Sequence, residues 1–280
     1  MQLQENIWLA LMIGNSRLHW AKFRGETLEH AWDTEHLPAV DSNAPLEALS
    51  GIETERDRPI PLYLASVVPQ QTALWQTYPE LHLITLDQLP LQGLYPTLGI
   101  DRALALLGAA KVWGLPTLVL DAGTAFTFTG IDSNSQLVGG AILPGLKLQL
   151  QSLSQRTANL PAIELPQILP PRWGLNTPTA IQSGVIYTLL AGVRDFIQTW
   201  LQQLPESQIL LTGGDRTLLL TYLQTQSPDI ANRINTDPNL VFGEFAQSFS
   251  SSRSLIRIEN CTIDFLLNIN LKFFTADGRA

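Results

Sequence analysis

The segment Leu118 to Asp132, LVLDAGTAFTFTGID, has a counterpart near the start of the chain, and this repetition narrows the possible folds more than any other feature. In the later copy an apolar run enters an Asp-x-Gly-Thr turn at Asp121, Gly123 and Thr124, then leaves through Phe126 and Phe128 in alternation. In the earlier copy Leu9 to Ile13 lead into Gly14, Asn15 and Ser16, after which Leu18 and Trp20 resume the alternation. Gly123 follows Gly14 by 109 positions, and the same shift sets Met12 against Asp121. A strand, a tight glycine turn and a returning strand form a hairpin whose tip offers backbone N–H groups and a hydroxyl. Two such tips facing each other across a cleft would hold a chain of phosphates.

Bulk properties exclude several classes. With 280 residues, 45% of them hydrophobic, the chain can bury a sizeable core and suggests one or two domains. A net charge of −8 without a Lys/Arg cluster argues against nucleic acid as a partner, whereas a small anion needs only amides and a few placed cations. Cys261 is the sole cysteine, so no intrachain disulfide forms and a reducing compartment is permitted. Neither a secretory leader nor a membrane-length apolar run is evident, so no membrane partner and a cytoplasmic location are expected. The four histidines, His19, His30, His36 and His82, are scattered without metal-ligand spacing, and no nucleophile elbow stands out.

Strands and helices alternate in both halves, which predicts an α/β fold of two lobes with mixed sheets, residues 1–115 and 116–280. In the first, residues 7–25 read as a hairpin, residues 31–60 are weakly patterned, and Pro61 to Pro69 and Leu81 to Leu86 hold strands. A helix follows from Asp101 to Val112, with Gly114 as its stop. The second lobe opens with a strand at Thr117. Gly139 and Gly140 are expected in a turn, Ala141 to Leu143 in a strand, and the segment after Pro144-Gly145 in a helix reaching Leu153. Four prolines make Asn159 to Trp173 a loop. Pro178 to Leu204 is the strongest helix, with Thr177 as its expected N-cap and Gly184 and Gly192 explained by close packing. Gln208 to Asp215 is a buried strand ending in a Gly-Gly turn.

Three constellations carry chemistry, and each has a plain alternative. Asp121-x-Gly123-Thr124 is either an ordinary hairpin turn or a phosphate grip; a carboxylate beside phosphates repels them unless a cation intervenes, which gives Asp121 a metal role. In Gly99-Ile100-Asp101-Arg102, Asp101 is either an N-cap with Arg102 on the surface, or a base beside an anion clamp. Thr212-Gly213-Gly214-Asp215 is either a strand-to-helix turn or a close backbone approach to a nucleotide.

Taken together, GNSRLHWA from Gly14, LGIDRALALLGA from Leu98, LVLDAGTAFTFTGID from Leu118, GGAILPGLKLQLQSLSQRTANLP from Gly139, GLNTPTAIQSGV from Gly174 and LLTGGD from Leu210 resemble the type III pantothenate kinases. They stand in family order and span about Leu9 to Phe242. The resemblance implies two actin-like (ribonuclease H-like) lobes with mixed sheets flanked by helices, the active site lying in the cleft between them. It implies ATP with Mg2+, a monovalent cation (K+ or NH4+), phosphorylation of pantothenate as the first step toward coenzyme A, and homodimers with active sites at the interface. By the same resemblance Asp101 is the base, while Tyr95, Gly99, Ile100, Arg102 and Thr177 hold pantothenate. Met12, Ile13, Gly14, Asn15, Ser16, Arg17, Leu18 and His19 form the first phosphate loop, Thr124 contacts ATP, Gly213 and Gly214 form the nucleotide turn, and Asp121 binds the monovalent cation. Two departures are visible: Met12 stands where the family has Asp, and the tail after Glu244 has no counterpart. Two other readings are a kinase for another small hydroxy-acid or sugar and a nucleotide-binding accessory protein.

Overall fold

The computed structural model describes residues 7–38, 59–243 and 245, so most of the weakly patterned 31–60 stretch and nearly all of the tail lie outside the described residues. The first sheet contains β1 (Ile7–Ile13), β2 (Leu18–Arg24), β3 (Thr27–Thr34), β4 (Leu62–Ser66) and β5 (Leu81–Leu83) in the order β3-β2-β1-β4-β5. The second contains β6 (Thr117–Ala122), β7 (Ala125–Ile131), β8 (Leu137–Pro144), β9 (Gln208–Thr212) and β10 (Ile234–Thr236) in the order β10-β9-β6-β7-β8. In both, an antiparallel meander is joined along its first strand to two parallel strands. The repeat in the sequence is therefore a repeat of topology. β1 and β6 are the central strands, covered on both faces, which is why they read as unbroken apolar runs. β3 is an edge, and its exposed Glu29, His30 and Asp33 keep it polar.

Among the described residues six helices cover the sheets: α1 (Pro69–Trp75), α2 (Ile100–Trp113), α3 (Leu146–Arg156), α4 (Thr177–Gln203), α5 (Arg216–Gln226) and α6 (Pro228–Ala231). α2 decides where the site lies. It is buried at almost every position from Ile100 to Ala109, as expected of a helix apolar on all sides. Ala103, Leu104 and Leu107 pack with Met12, Tyr63 and Ala65 of the first sheet, while Ala105, Leu106 and Ala109 pack with Val119, Ile131 and Leu210 of the second. The helix is wedged between the sheets, and its N-terminal turn carries Asp101 and Arg102 into the space between them. Gly108 permits this depth, because a Cβ there would stand 1.9 Å from the Leu240 carbonyl oxygen. Phe242 and Phe245, just beyond, join the core of the first sheet.

Several local expectations change. Gly139 and Gly140 lie inside β8; the turn comes earlier, where the Asp132 carboxylate accepts from the N–H groups of Asn134 and Gln136. Gly140 is glycine because a Cβ would lie 2.1 Å from the Phe128 carbonyl and 2.5 Å from Arg102 Nη2. The cap of α4 is Asn176, whose side chain accepts from the Thr179 N–H at 3.0 Å; Thr177 is already helical. Gly184 and Gly192 face open space, so close packing does not account for them. The strand at Leu81 stops at Leu83, and a 3-10 turn occupies Leu86–Gln88.

Candidate active site

The two hairpin tips meet. Ser16 Oγ lies 2.7 Å from Thr124 Oγ1, a hydrogen bond between the first turn and the second. Asn15, Ser16 and Arg17 are exposed at the first tip, and the Gly14 N–H closes the turn on the Arg17 carbonyl at 3.0 Å. Met12, Ile13 and Leu18 are almost fully buried, so their side chains belong to the core and only backbone faces the cleft. Thr124 is exposed at the second tip.

Asp121, the last residue but one of β6, pairs with Thr212 of β9. Gly213 follows with φ +90°, and a Cβ on it would sit 2.4 Å from Asp121 Oδ1. Glycine is thus required twice over, for the backbone conformation and for room beside the carboxylate. Among the described residues no hydrogen bond or ion pair reaches the Asp121 side chain. Burial, and after it the charge of Asp101, push its pKa up to about 6, with His19 acting against both. A half-buried acid with no donor, facing a second acid, suits a bound cation. No group of three or more His, Cys, Asp or Glu able to hold a metal ion occurs among the described residues, so a cation here would need phosphate, carbonyl or water oxygens as well.

Gly99 occupies the N-cap position of α2, and Asp101 stands inside the first turn, which overturns the plain capping alternative. Its Oδ1 accepts from the Arg102 N–H at 2.8 Å, in the space a Cβ on Gly99 would fill. Burial raises the Asp101 pKa, with Arg102 and His19 acting against it. Arg102 is no surface residue: it is 8% exposed. Its Nε donates to Thr129 Oγ1 at 2.8 Å, Nη1 to Tyr95 Oη at 3.0 Å and Nη2 to the Phe128 carbonyl at 3.1 Å. It forms no ion pair among the described residues, and a guanidinium has five N–H donors, so this buried cation still has donors to offer an anion. Thr177 stands exposed at the start of α4, with no hydrogen bond to Tyr95, Asp101 or Arg102.

Comparison with known proteins agrees with this geometry. The family model described as type III pantothenate kinase matches residues 8–199. A type III pantothenate kinase of Nostoc sp. (strain PCC 7120) is 54% identical over 259 residues, covering 85% of this chain and 92% of that protein. One from Synechocystis sp. (strain PCC 6803) is 47% identical over 237 residues, covering 84% and 87%. The chain belongs to the type III pantothenate kinase family. Among solved structures, an activator of 2-hydroxyisocaproyl-CoA dehydratase from Clostridium difficile, with bound ADPNP, aligns with TM-score 0.51 at 11% identity over 90% of this chain and 97% of its own. That likeness concerns the fold, the two-lobed actin-like arrangement of mixed sheets flanked by helices.

Around this type III pantothenate kinase core stand contacts that the sequence patterns did not disclose. Beyond the second tip, Gly214 lines a cavity of about 660 Å3 with Leu150, Ile163, Glu164 and Leu218. Lys147 on α3 and Asp215 before α5 pair at 2.6 Å along its wall. The proline-bearing loop forms the facing wall and is fastened by bonds to its carbonyls from Gln182, Ser183, Tyr187 and Tyr222. At the first tip His36 Nε2 donates to the Gly14 carbonyl at 2.8 Å, and His19 Nδ1 donates to Asp33 at 2.8 Å. Two of the four histidines thus converge on one glycine. Nothing in their spacing announces this; only the pairing of His19 with Asp33 could have been read, from a correct β2–β3 register.

Proposed function

We propose that the protein transfers the terminal phosphoryl group of ATP to the primary hydroxyl of pantothenate, the first step toward coenzyme A. The observation that carries this is the meeting of two glycine-turn hydroxyls, Ser16 and Thr124, with a buried Asp–Arg pair in the same cleft. The tips grip the phosphates through Asn15, Ser16 and Thr124 and the amides of their turns. Gly213 and Gly214 bring the backbone close to the nucleotide, and the cavity behind them takes the adenosine.

Arg102 holds the acceptor's carboxylate with its remaining N–H donors, steadied by Thr129, the Phe128 carbonyl and Tyr95. Asp101 then takes the proton of the attacking hydroxyl; its raised pKa makes it a better base than an exposed carboxylate. In phosphoryl transfer the alignment of the attacking oxygen matters more than basicity, and the buried first turn of α2 supplies that alignment. A Mg2+ accompanying ATP would supply charge neutralisation to the phosphates, and Asp121 would hold a K+ or NH4+ that keeps this acid from repelling them.

The active form is a homodimer. Trp173 is 85% exposed and Leu175 100%, beside the exposed Thr177, and Ile142 on the edge strand β8 is 64% exposed. A second copy covering these side chains would bring its Thr177 to the open side of the acceptor site. No helix among the described residues is long and apolar enough to cross a membrane, and a cytoplasmic location fits a reaction between ATP and pantothenate.

The test is ATP-dependent phosphorylation of pantothenate by the purified protein with magnesium, in potassium and in sodium buffer. Potassium-dependent turnover is the expected result. ATP binding without turnover of pantothenate would overturn the assigned acceptor.

A further inference from the structure

The first sheet carries a row of four residues in register: Ala65 on β4, Met12 on β1, His19 on β2 and Asp33 on β3. Directly paired residues point to the same face, so the row lies on the face that meets α2 and the cleft. Met12 is 1% exposed and packs among apolar side chains, which leaves His19 as the first polar group of the row. Asp33 accepts from Nδ1 of His19 and thereby sets the ring's orientation. The other nitrogen is turned to the phosphate turn: a Cβ on Gly14 would stand 3.2 Å from His19 Nε2. The charge of His19 is felt by both Asp101 and Asp121, from across the cleft.

We infer that His19, held by Asp33, is the side chain through which the first hairpin grips the nucleotide's transferable phosphate, with Asp33 as its positioning residue. This deepens the nucleotide reading of the two tips and rests on it. A phosphate oxygen reaching Nε2 would complete a second N–H···O bond. Held between that oxygen and Asp33, the ring would be fixed at both of its nitrogens. The groups that face it are Asp33, Arg17 at 3.8 Å from Asp33, and the carboxylates Asp101 and Asp121; His36 is bound to the Gly14 carbonyl. His19 thus stands in a cleft that also holds Arg102 and two carboxylates.

A structural role alone explains the pair poorly. His19 and Asp33 are 38% and 46% exposed, and an ion pair so open to water contributes little to folding. The neighbouring pairs of β2 with β3, Trp20 with Trp32 among them, already fix the register.

The experiment measures ATP affinity by calorimetry and steady-state kinetics with ATP varied, for wild type, His19→Gln, Asp33→Asn, His19→Lys and the Asp33→Asn/His19→Lys double variant. His19→Gln should bind ATP about tenfold more weakly and lose on the order of a hundredfold in kcat/KM for ATP, with KM for pantothenate unchanged. Asp33→Asn should lose about tenfold in kcat/KM in the wild-type background and nothing further in the His19→Lys background, because an ammonium needs no partner to orient a ring. Wild-type ATP affinity in His19→Gln would overturn the proposal, as would an equal loss from Asp33→Asn in both backgrounds. His30→Gln, on exposed β3 away from the turn, should change nothing, and melting curves check that every variant folds. If wild type binds ATP with these dependences but does not phosphorylate pantothenate, the acceptor reading fails and the dyad stands; if wild type binds no ATP, both fail.

Discussion

The hairpin of β1 and β2 and the hairpin of β6 and β7 hold the same place in their sheets, yet they divide the chemistry unequally. Between the last paired residues the first turn has four residues, Gly14 to Arg17, and the second has three, Gly123 to Ala125. At matching positions the first lobe buries Met12 in an apolar cluster, while the second leaves Asp121 half-buried and without a donor. The polar group of the first lobe has moved one strand over, to His19 with its partner Asp33. A duplicated backbone thus tolerates a change of charge at the pivotal position when the row of paired residues offers another place for a polar group. The difference also separates burdens: the second lobe carries the strained acid, the first a well-packed core.

The sharpest test concerns what the lobes share. Asp101 sits on α2, between both sheets, and Asp101→Asn should lower kcat by about 10^3-fold while ATP affinity stays within twofold. A folded variant with wild-type turnover would remove the base from the site. Next in size is an attempt to equalise the lobes. Met12→Asp would bury a carboxylate among Trp8, Ala65, Ile100 and Leu104, and should cost about 3 kcal/mol or more in urea unfolding. A variant as stable as wild type would show that the first lobe can still accept the acid, which would break the comparison.

A smaller effect of opposite sign is expected at Asp121. Its folded pKa of about 6 exceeds the ordinary 3.8, so the folded state binds the proton more tightly than the unfolded chain. The stability this contributes is present below about pH 4 and is lost as pH rises through 6, leaving a cost of roughly 1–3 kcal/mol at pH 8. Asp121→Asn should therefore be more stable than wild type at pH 8, with the gap closing toward pH 4.5. Wild type but not the variant should gain melting temperature from potassium chloride relative to tetramethylammonium chloride. Equal stability at pH 8 would show that Asp121 bears no burden. Last, Ser16→Ala removes an exposed contact between the tips and should shift stability by less than about 1 kcal/mol, while weakening ATP binding several-fold. If ATP affinity is unchanged, the meeting of the tips is only a packing contact.

Much of this was legible before any coordinates. The apolar runs of β1, β6 and β9 must be central strands because nothing in them tolerates water, and Gly14, Gly123 and Gly213 mark the turns at or just beyond their ends. The motifs at Gly99 and Leu118 pointed to the site and to the family because their chemistry is local. Less was readable where a residue's meaning depends on a distant neighbour. Gly139 and Gly140 looked like a turn, since a glycine pair carries no sign of the Arg102 side chain that needs the space. For Arg102 the motif left a surface residue and an anion clamp both open, and only Thr129 and the Phe128 carbonyl of the second sheet, which draw it inside, exclude the first.

The sequence by itself determined the repeat of strand, turn and strand, the helix that begins near Asp101 and the residue types at each tip, because periodicity and glycine placement act over a few residues. The tertiary structure alone decided that the two tips touch, that Asp101 and burial make Asp121 costlier to ionise, and that His19 is held by Asp33 beside Gly14. Those are through-space effects between segments brought together by packing. Charge, desolvation and hydrogen-bond geometry depend on distance in space, which no spacing along the chain encodes.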